Sequence, residues 1–212
     1  MTPDPDWLSE PDPQEALRRL RRFRSGTLVH DEIPTPCKFV IDGRDGRVVM
    51  PVSVVAADAE EHVLWLPEER FGAMQALLVV DPLEAEFDEA RDRYLAYHGT
   101  AEEPRWIRCE IESVREGSSV YDGSDLTCPN LGRSVEPKLC KLLNSDREKL
   151  KAVTSKLAGV VPETALAVGV DEDGIDVRVS LGVVRVEFPR RARDPEEISA
   201  TVRGLLTELD GG

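Results

Sequence analysis

The stretch at residues 166–209, LAVGVDEDGIDVRVSLGVVRVEFPRRARDPEEISATVRGLLTEL, decides the fold, because its local signals agree from end to end. Leu166, Val168 and Val170 alternate with small residues. Ile175, Val177 and Val179 alternate with Asp176 and Arg178, and Val184, Val186 and Phe188 with Arg185 and Glu187. Period-two alternation marks strands with one buried face. The gaps Asp171-Glu172-Asp173-Gly174 and Ser180-Leu181-Gly182 are short enough for antiparallel hairpins, and each carries a glycine. The reading is a three-strand meander.

Pro189 ends the third strand, and Asp194 caps a helix that begins at Pro195, with Glu196 and Glu197 in the first turn where the helix dipole favours acids. Ile198, Val202, Leu205, Leu206 and Leu209 share one face, which predicts packing on the sheet. Upstream, Ser145-Asp146-Arg147-Glu148 reads as a capping box for a helix with Leu150, Val153 and Leu157 on one side and Gly159 at its end. The tail is therefore helix, three strands, helix.

A chain of 212 residues holds one large domain or two small ones, and the tail unit argues for two. With 27 Lys+Arg against 41 Asp+Glu, the formal charge of -14 opposes general binding to nucleic acid or anionic membrane, since both are polyanions. No apolar run approaches the roughly 20 residues of a bilayer span. The acidic, proline-rich start MTPDPDWLSEPDPQ reads as neither signal peptide nor anchor, so a cytoplasmic location is expected. Cys37, Cys109, Cys128 and Cys140 form no CxxC pair and have no histidine at a zinc-ligand spacing, which predicts reduced thiols and no metal site.

Residues 1–11 are expected to be disordered. Asp12-Pro13-Gln14-Glu15 opens a helix through Leu17, Leu20 and Phe23 that carries Arg18, Arg19, Arg21, Arg22 and Arg24. That cluster has two readings: a seat for a phosphate-bearing ligand or acidic partner surface, or a solvated basic face paired with acidic neighbours. Strands are predicted at 38–41, 48–56, 62–66, 76–80, 93–98 and 106–114, with helical pieces at 68–74 and 84–91. Six strands, mostly neighbours along the chain, predict a small antiparallel barrel. The alternative is an open sheet. Residues 119–143 read as a linker with a packed apolar end at Leu139, Leu142 and Leu143.

This order resembles an FMN-binding split barrel of the pyridoxamine 5'-phosphate oxidase-like type, followed by the small α/β domain of unknown function found in the haem-utilisation branch. The tail carries the resemblance. Asn144-Ser145-Asp146-Arg147, Val170-Asp171-Glu172-Asp173-Gly174-Ile175-Asp176, Val186-Glu187-Phe188-Pro189 and Asp194-Pro195 stand where that family has Asn-Ala-Asp-His, Val-Asp-x-x-Gly-x-Asp, Val-x-Phe-Pro and Asp-Pro. In the barrel it rests on strand order and on the hairpin arm at 46–52. The expected fold is α+β: an antiparallel six-stranded split barrel at 12–118, the linker at 119–143, and the α/β tail at 144–212.

The resemblance implies a homodimer with FMN between subunits. It places cationic contacts to the flavin phosphate at Lys38, on the first predicted strand, and Arg70, in the turn Pro67-Glu68-Glu69-Arg70-Phe71. Glu68 and Glu69 would repel that phosphate. Haem needs an axial ligand, and Arg147 occupies the family's histidine position, so haem is the less favoured cofactor. His30, His62 and His98 remain.

No catalytic residue is assigned. Cys37 lies beside Lys38, whose ammonium would lower its pKa, but has no partner base. Cys109 and Cys140 sit on apolar faces, and the acid pairs Glu68/Glu69 and Asp171/Asp173 belong to turns expected to be solvated. The expected protein is a relative of flavin- or haem-binding oxidoreductases that binds FMN at a dimer interface. The alternative is a non-catalytic binding or scaffold protein that keeps the fold without the cofactor site. Whether it is an enzyme, and which small molecule it meets, the sequence leaves open.

Overall fold

The computed structural model describes residues 12–83, 88–101 and 103–208, so the expected disorder of residues 1–11, the start of the predicted 84–91 helix and the placement of Leu209 lie outside the described residues. In chain order the elements are α1 (Pro13–Leu20), β1 (Ser25–His30), β2 (Ile33–Lys38), β3 (Val40–Ile41), β4 (Val48–Val52), α2 (Val54–Ala57), β5 (His62–Leu66), β6 (Met74–Pro82), α3 (Glu89–His98), β7 (Arg105–Glu116), β8 (Ser119–Asp122) and α4 (Gly123–Leu126). The tail continues with α5 (Glu136–Ser145), α6 (Arg147–Ala158), β9 (Leu166–Asp171), β10 (Gly174–Val179), β11 (Gly182–Glu187) and α7 (Pro195–Thr207).

The first sheet is antiparallel, ordered β2-β1-β5-β6-β7-β4-β3, with β8 added on β7. It curls into a half-barrel around Leu28, Met50, Leu64, Leu78, Ile107 and Ile111. With eight strands it exceeds the six expected. The hairpin β1–β2 is the addition with the clearest cause: His30 pairs with Ile33 around Asp31 and Glu32, both at positive φ (44° and 68°). A two-residue turn of that shape suits strand twist but normally uses Asn or Gly. Here Asp31 is held by its neighbours, its carboxylate accepting from the backbone N–H groups of Glu60 and Glu61 at 3.0 Å. Pro34 and Pro36 are tolerated because β2 is an edge strand.

Residues 93–98, predicted as strand, belong instead to helix α3. Asp88 caps it by accepting from the Ala90 N–H, Glu89 and Asp92 occupy the first turn, and Gly99 ends it at φ 87°. Ala90, Tyr94 and Tyr97 then fall on its buried side. Their β-prone aromatic character loses to the cap signals. α3 lies between the sheets, packing on β3 and β4 on one side and on β9 and β11 on the other. The predicted turn of helix at 68–74 is irregular, its last residue starting β6, and the expected linker 119–143 contains β8, α4 and most of α5.

The tail sheet is the expected meander, ordered β11-β10-β9. One face receives α5 and α6, while α7 packs against both helices and sends Ile198 and Val202 into a core with Leu143, Leu150, Ile175 and Phe188. The α6 cap is Asp146, whose carboxylate accepts from Lys149 N, rather than Ser145. The other face of the meander, carrying Asp176 and Arg185, turns to the barrel instead of to water. Among the described residues no helix is long and apolar enough to cross a membrane.

Gly46 has φ 82°, and a Cβ there would stand 2.4 Å from Cys128 N. Gly72 has φ 79° and open space around it. Gly72→Ala is expected to lose about 1–2 kcal/mol from backbone strain alone, and Gly46→Ala clearly more, in urea unfolding. Equal losses would show that the Gly46 contact is not rigid.

Candidate functional site

Helix α1 and the residues after it aim their arginines at the tail. Arg21 and Arg24 are 3% and 6% exposed. Arg21 Nη1 donates to Glu172 Oε1 at 2.6 Å and to Asp173 Oδ2 at 3.0 Å, and Arg24 Nη2 donates to Asp176 Oδ2 at 2.6 Å. Around this centre Arg19 pairs with Glu116 at 2.6 Å, Arg22 pairs with Glu187, and Arg18 donates to the Phe188 carbonyl at 2.7 Å. The acidic surface that the basic cluster meets is the chain's own: the β9–β10 turn for Arg21, β10 for Arg24, β11 for Arg22 and β7 for Arg19. Arg18, Arg19 and Arg22 keep the partly solvated, acid-paired face that the sequence allows, whereas Arg21 and Arg24 are buried, and the Asp171/Asp173 turn expected to be solvated is buried with Glu172 and Asp176.

The tail and α3 complete the charge balance. Arg185 binds Asp171 and reaches Asp176 Oδ1 at 3.2 Å, and Arg191 Nη2 donates to Glu172 Oε1 at 2.9 Å. Tyr97 donates to Asp176 Oδ2 and accepts from Arg93 Nη2, both at 2.8 Å, while Arg93 Nη1 donates to Glu136 Oε1 at 2.8 Å. Gly169 makes this approach possible, since a Cβ there would lie 1.8 Å from the Tyr97 hydroxyl. Arg21, Arg24, Arg93, Arg185 and Arg191 thus balance Glu136, Asp171, Glu172, Asp173 and Asp176 in number, within a network in which several of them share partners. Buried ions persist only when so matched.

Burial alone would raise the pKa of Asp171 and Asp176. The guanidinium groups of Arg185 and Arg21 hold Asp171, and those of Arg24 and Arg185 hold Asp176, below the usual carboxylate range. Glu136 and Asp173 move the other way: burial raises both, offset at Glu136 by Arg93 and reinforced at Asp173 by the Asp171 charge.

The second feature is a cleft of about 490 Å³ at the seam of the half-barrel, lined among others by Thr27, Cys37, Lys38, Glu68, Tyr94 and Thr100. Lys38 is exposed on its rim and, among the described residues, has no carboxylate in ion-pair range. Arg70 lines a different cleft of about 200 Å³, with Arg19, Arg22, Phe23 and Met74, and lies 3.6 Å from Glu68. Pro67 borders both clefts, so the two predicted phosphate contacts flank one turn without converging. Burial pushes the Cys37 thiol up to about 12, against the lowering expected from Lys38, and the backbone hydrogen bonds from Leu28 and Gly26 offset it only in part. Cys140 likewise rises to about 12 by burial.

All three histidines have their Nε2 engaged: His30 with Thr35 Oγ1 at 3.3 Å, His62 with the Ala56 carbonyl at 2.6 Å, and His98 with the Phe39 carbonyl at 3.0 Å. His98 ends a helix rather than a strand, and burial lowers its pKa. Arg147 is the exposed first residue of α6.

No protein-family model matches the chain, and no curated protein matches it. Among solved structures it is similar to the protein Atu2129, of unknown function, from Agrobacterium tumefaciens, at 18% identity and TM-score 0.69 over 94% of this chain and 98% of that one. The chain shares its fold with Atu2129. Weaker similarities are to a haem-binding protein from Mycobacterium smegmatis, at 17% identity and TM-score 0.39 over 97% of this chain and 100% of that one. A pyridoxamine 5'-phosphate oxidase-like protein from Listeria innocua gives 14% identity and TM-score 0.38 over 50% of this chain and 98% of that one. The Atu2129 match covers 94% of this chain, so the shared fold takes in both sheets.

Asp171 and Asp176, with folded pKa values depressed, contribute stability that is present above their unfolded value near 3.9 and lost as pH falls from there through their lower folded values. Asp42, held low by Arg44 despite burial, adds to the same limb. Glu136 and Asp173 have raised values, so their protonation on acidification recovers some stability first. Urea unfolding is expected to show a shallow rise on going from neutral pH to about 5 and a steep fall below about 4. In Asp176→Asn, neutral-pH stability should drop by about 3–5 kcal/mol and the acid limb should flatten. An unchanged limb would remove Asp176 from the balance.

Proposed function

We propose that the chain is a split-barrel protein that works as a homodimer and binds FMN, or a ligand of the same chemistry, in the cleft beside Lys38. The observation that carries this reading is the cleft itself. Its volume lies within the roughly 300–1,000 Å³ of cofactor sites, its wall bears the hydroxyls of Ser25, Thr27 and Thr100, and Lys38 is a cation on its rim with no carboxylate in ion-pair range among the described residues. A phosphate needs such donors, since a dianion without partners is costly to desolvate. Lys38 and the hydroxyls fit a phosphate, while Glu68 and Glu103 on the same wall oppose it. Closure of the site therefore relies on a second copy. A bound flavin would supply hydride or electron transfer, and this chain's residues would hold and orient it.

The dimer surface proposed is the outer face of the half-barrel. There Val29, Val63 and Leu77 stand side by side across β1, β5 and β6, beside Trp65, with Val79 51% exposed and Phe71 fully exposed at the neighbouring turn. A contiguous apolar face of this kind marks an interaction site. A second reading, a scaffold without cofactor, draws on Arg70 lying against Glu68 and on the basic helix being committed to the tail.

Fluorescence titration of purified protein with FMN tests the proposal. Saturable quenching is expected, weakened at least about tenfold by Lys38→Ala, in line with the loss of one charge-assisted contact. A protein that takes up no flavin favours the scaffold. Light scattering should give a dimer, converted to a monomer by Leu77→Asp, and a native monomer would remove the interface.

A further inference from the structure

Inside the junction between barrel and tail is a small cavity of about 10 Å³, lined by Arg21, Arg24, Arg93, Asp42, Asn130 and Asp171 together with Ile41, Gly43 and Cys128. Two of its three arginines carry a buried donor with no hydrogen-bond partner among the described residues, Arg24 Nε and Arg93 Nε. The Arg24 side chain is only 5% exposed. We infer that this cavity is a binding site for a single water molecule that accepts from Arg24 Nε and Arg93 Nε and donates to the carboxylates of Asp42 and Asp171.

Size and charge both select that occupant. About 10–15 Å³ of such space holds one water and no more. Every charged group on the wall already has its counterpart: Arg21 with Glu172 and Asp173, Arg24 with Asp176, Arg93 with Glu136, Asp42 with Arg44, and Asp171 with Arg185. A chloride is larger than water, and it would add an unbalanced negative charge beside two carboxylates. Water supplies two acceptor and two donor sites, matching two orphan N–H groups and two carboxylates. Its partners come from the residue before β1, from the β3–β4 turn, from α3 and from the end of β9, so one molecule ties four separate segments together.

The test is a crystal structure of the full chain grown with bromide in place of chloride, at a resolution that orders internal water. A single water peak within hydrogen-bond distance of Arg24 Nε and Arg93 Nε, with no anomalous bromide signal there, is the expected result. A bromide peak in the cavity would make it an anion site, and a cavity without density would leave the two donors unpaired; either overturns the assignment.

Discussion

The contact between Arg24 and Asp176 at 2.6 Å, inside a junction where both side chains are almost fully buried, is the constraint that the rest of the molecule obeys. Neither ion is tolerable alone in a low-dielectric interior, and each belongs to a different unit. The barrel therefore presents Arg21 and Arg24, whose carboxylate partners lie in the tail, and the tail presents Glu172, Asp173 and Asp176, whose charge its own Arg185 and Arg191 balance only in part. Dispersion and apolar burial stabilise each core without choosing its neighbour. Paired charges, which must meet atom for atom, specify how the two cores are joined.

Much of the tail was legible in the sequence because its signals are local. The glycine turns, the Asp194 cap and the alternating apolar residues predict β9, β10, β11 and α7 close to where they lie. The destination of the polar face was not legible. Alternation tells which residues share a face, and Asp176 and Arg185 do share one, but it does not tell whether that face meets water or another charged surface. Directly opposed opposite charges on neighbouring strands were the available hint. In the barrel, β1 and β2 escaped notice since Asp31-Glu32 lacks the usual turn residues and the prolines of β2 argue against a strand. α3 was misread where its tyrosines look β-prone but its caps decide.

The binding groups illustrate the same limit. Lys38 and Arg70 are close in the reasoning that a phosphate needs cations, yet Pro67 divides the clefts they line, and only the fold could reveal that. Cys37 shows how burial outweighs a sequence neighbour: desolvation of the half-buried thiol raises its pKa even though Lys38 follows it in the chain. Reading the five arginines near the N-terminus as a ligand site or as a solvated face paired with acidic neighbours leaves out the buried partners of Arg21 and Arg24, more than 140 residues away along the chain.

A double-mutant cycle on Arg24→Met and Asp176→Leu, followed by urea unfolding at neutral pH, tests the mutual dependence of barrel and tail most directly. Arg24→Met leaves Asp176 to Arg185 and Tyr97 alone, Asp176→Leu leaves Arg24 without a carboxylate, and each should lose about 3–5 kcal/mol. The double variant should lose far less than the sum, giving a coupling of roughly 2 kcal/mol or more. Additivity within about 0.5 kcal/mol would contradict the account, because it would mean that the two charges do not depend on each other for their place in the junction.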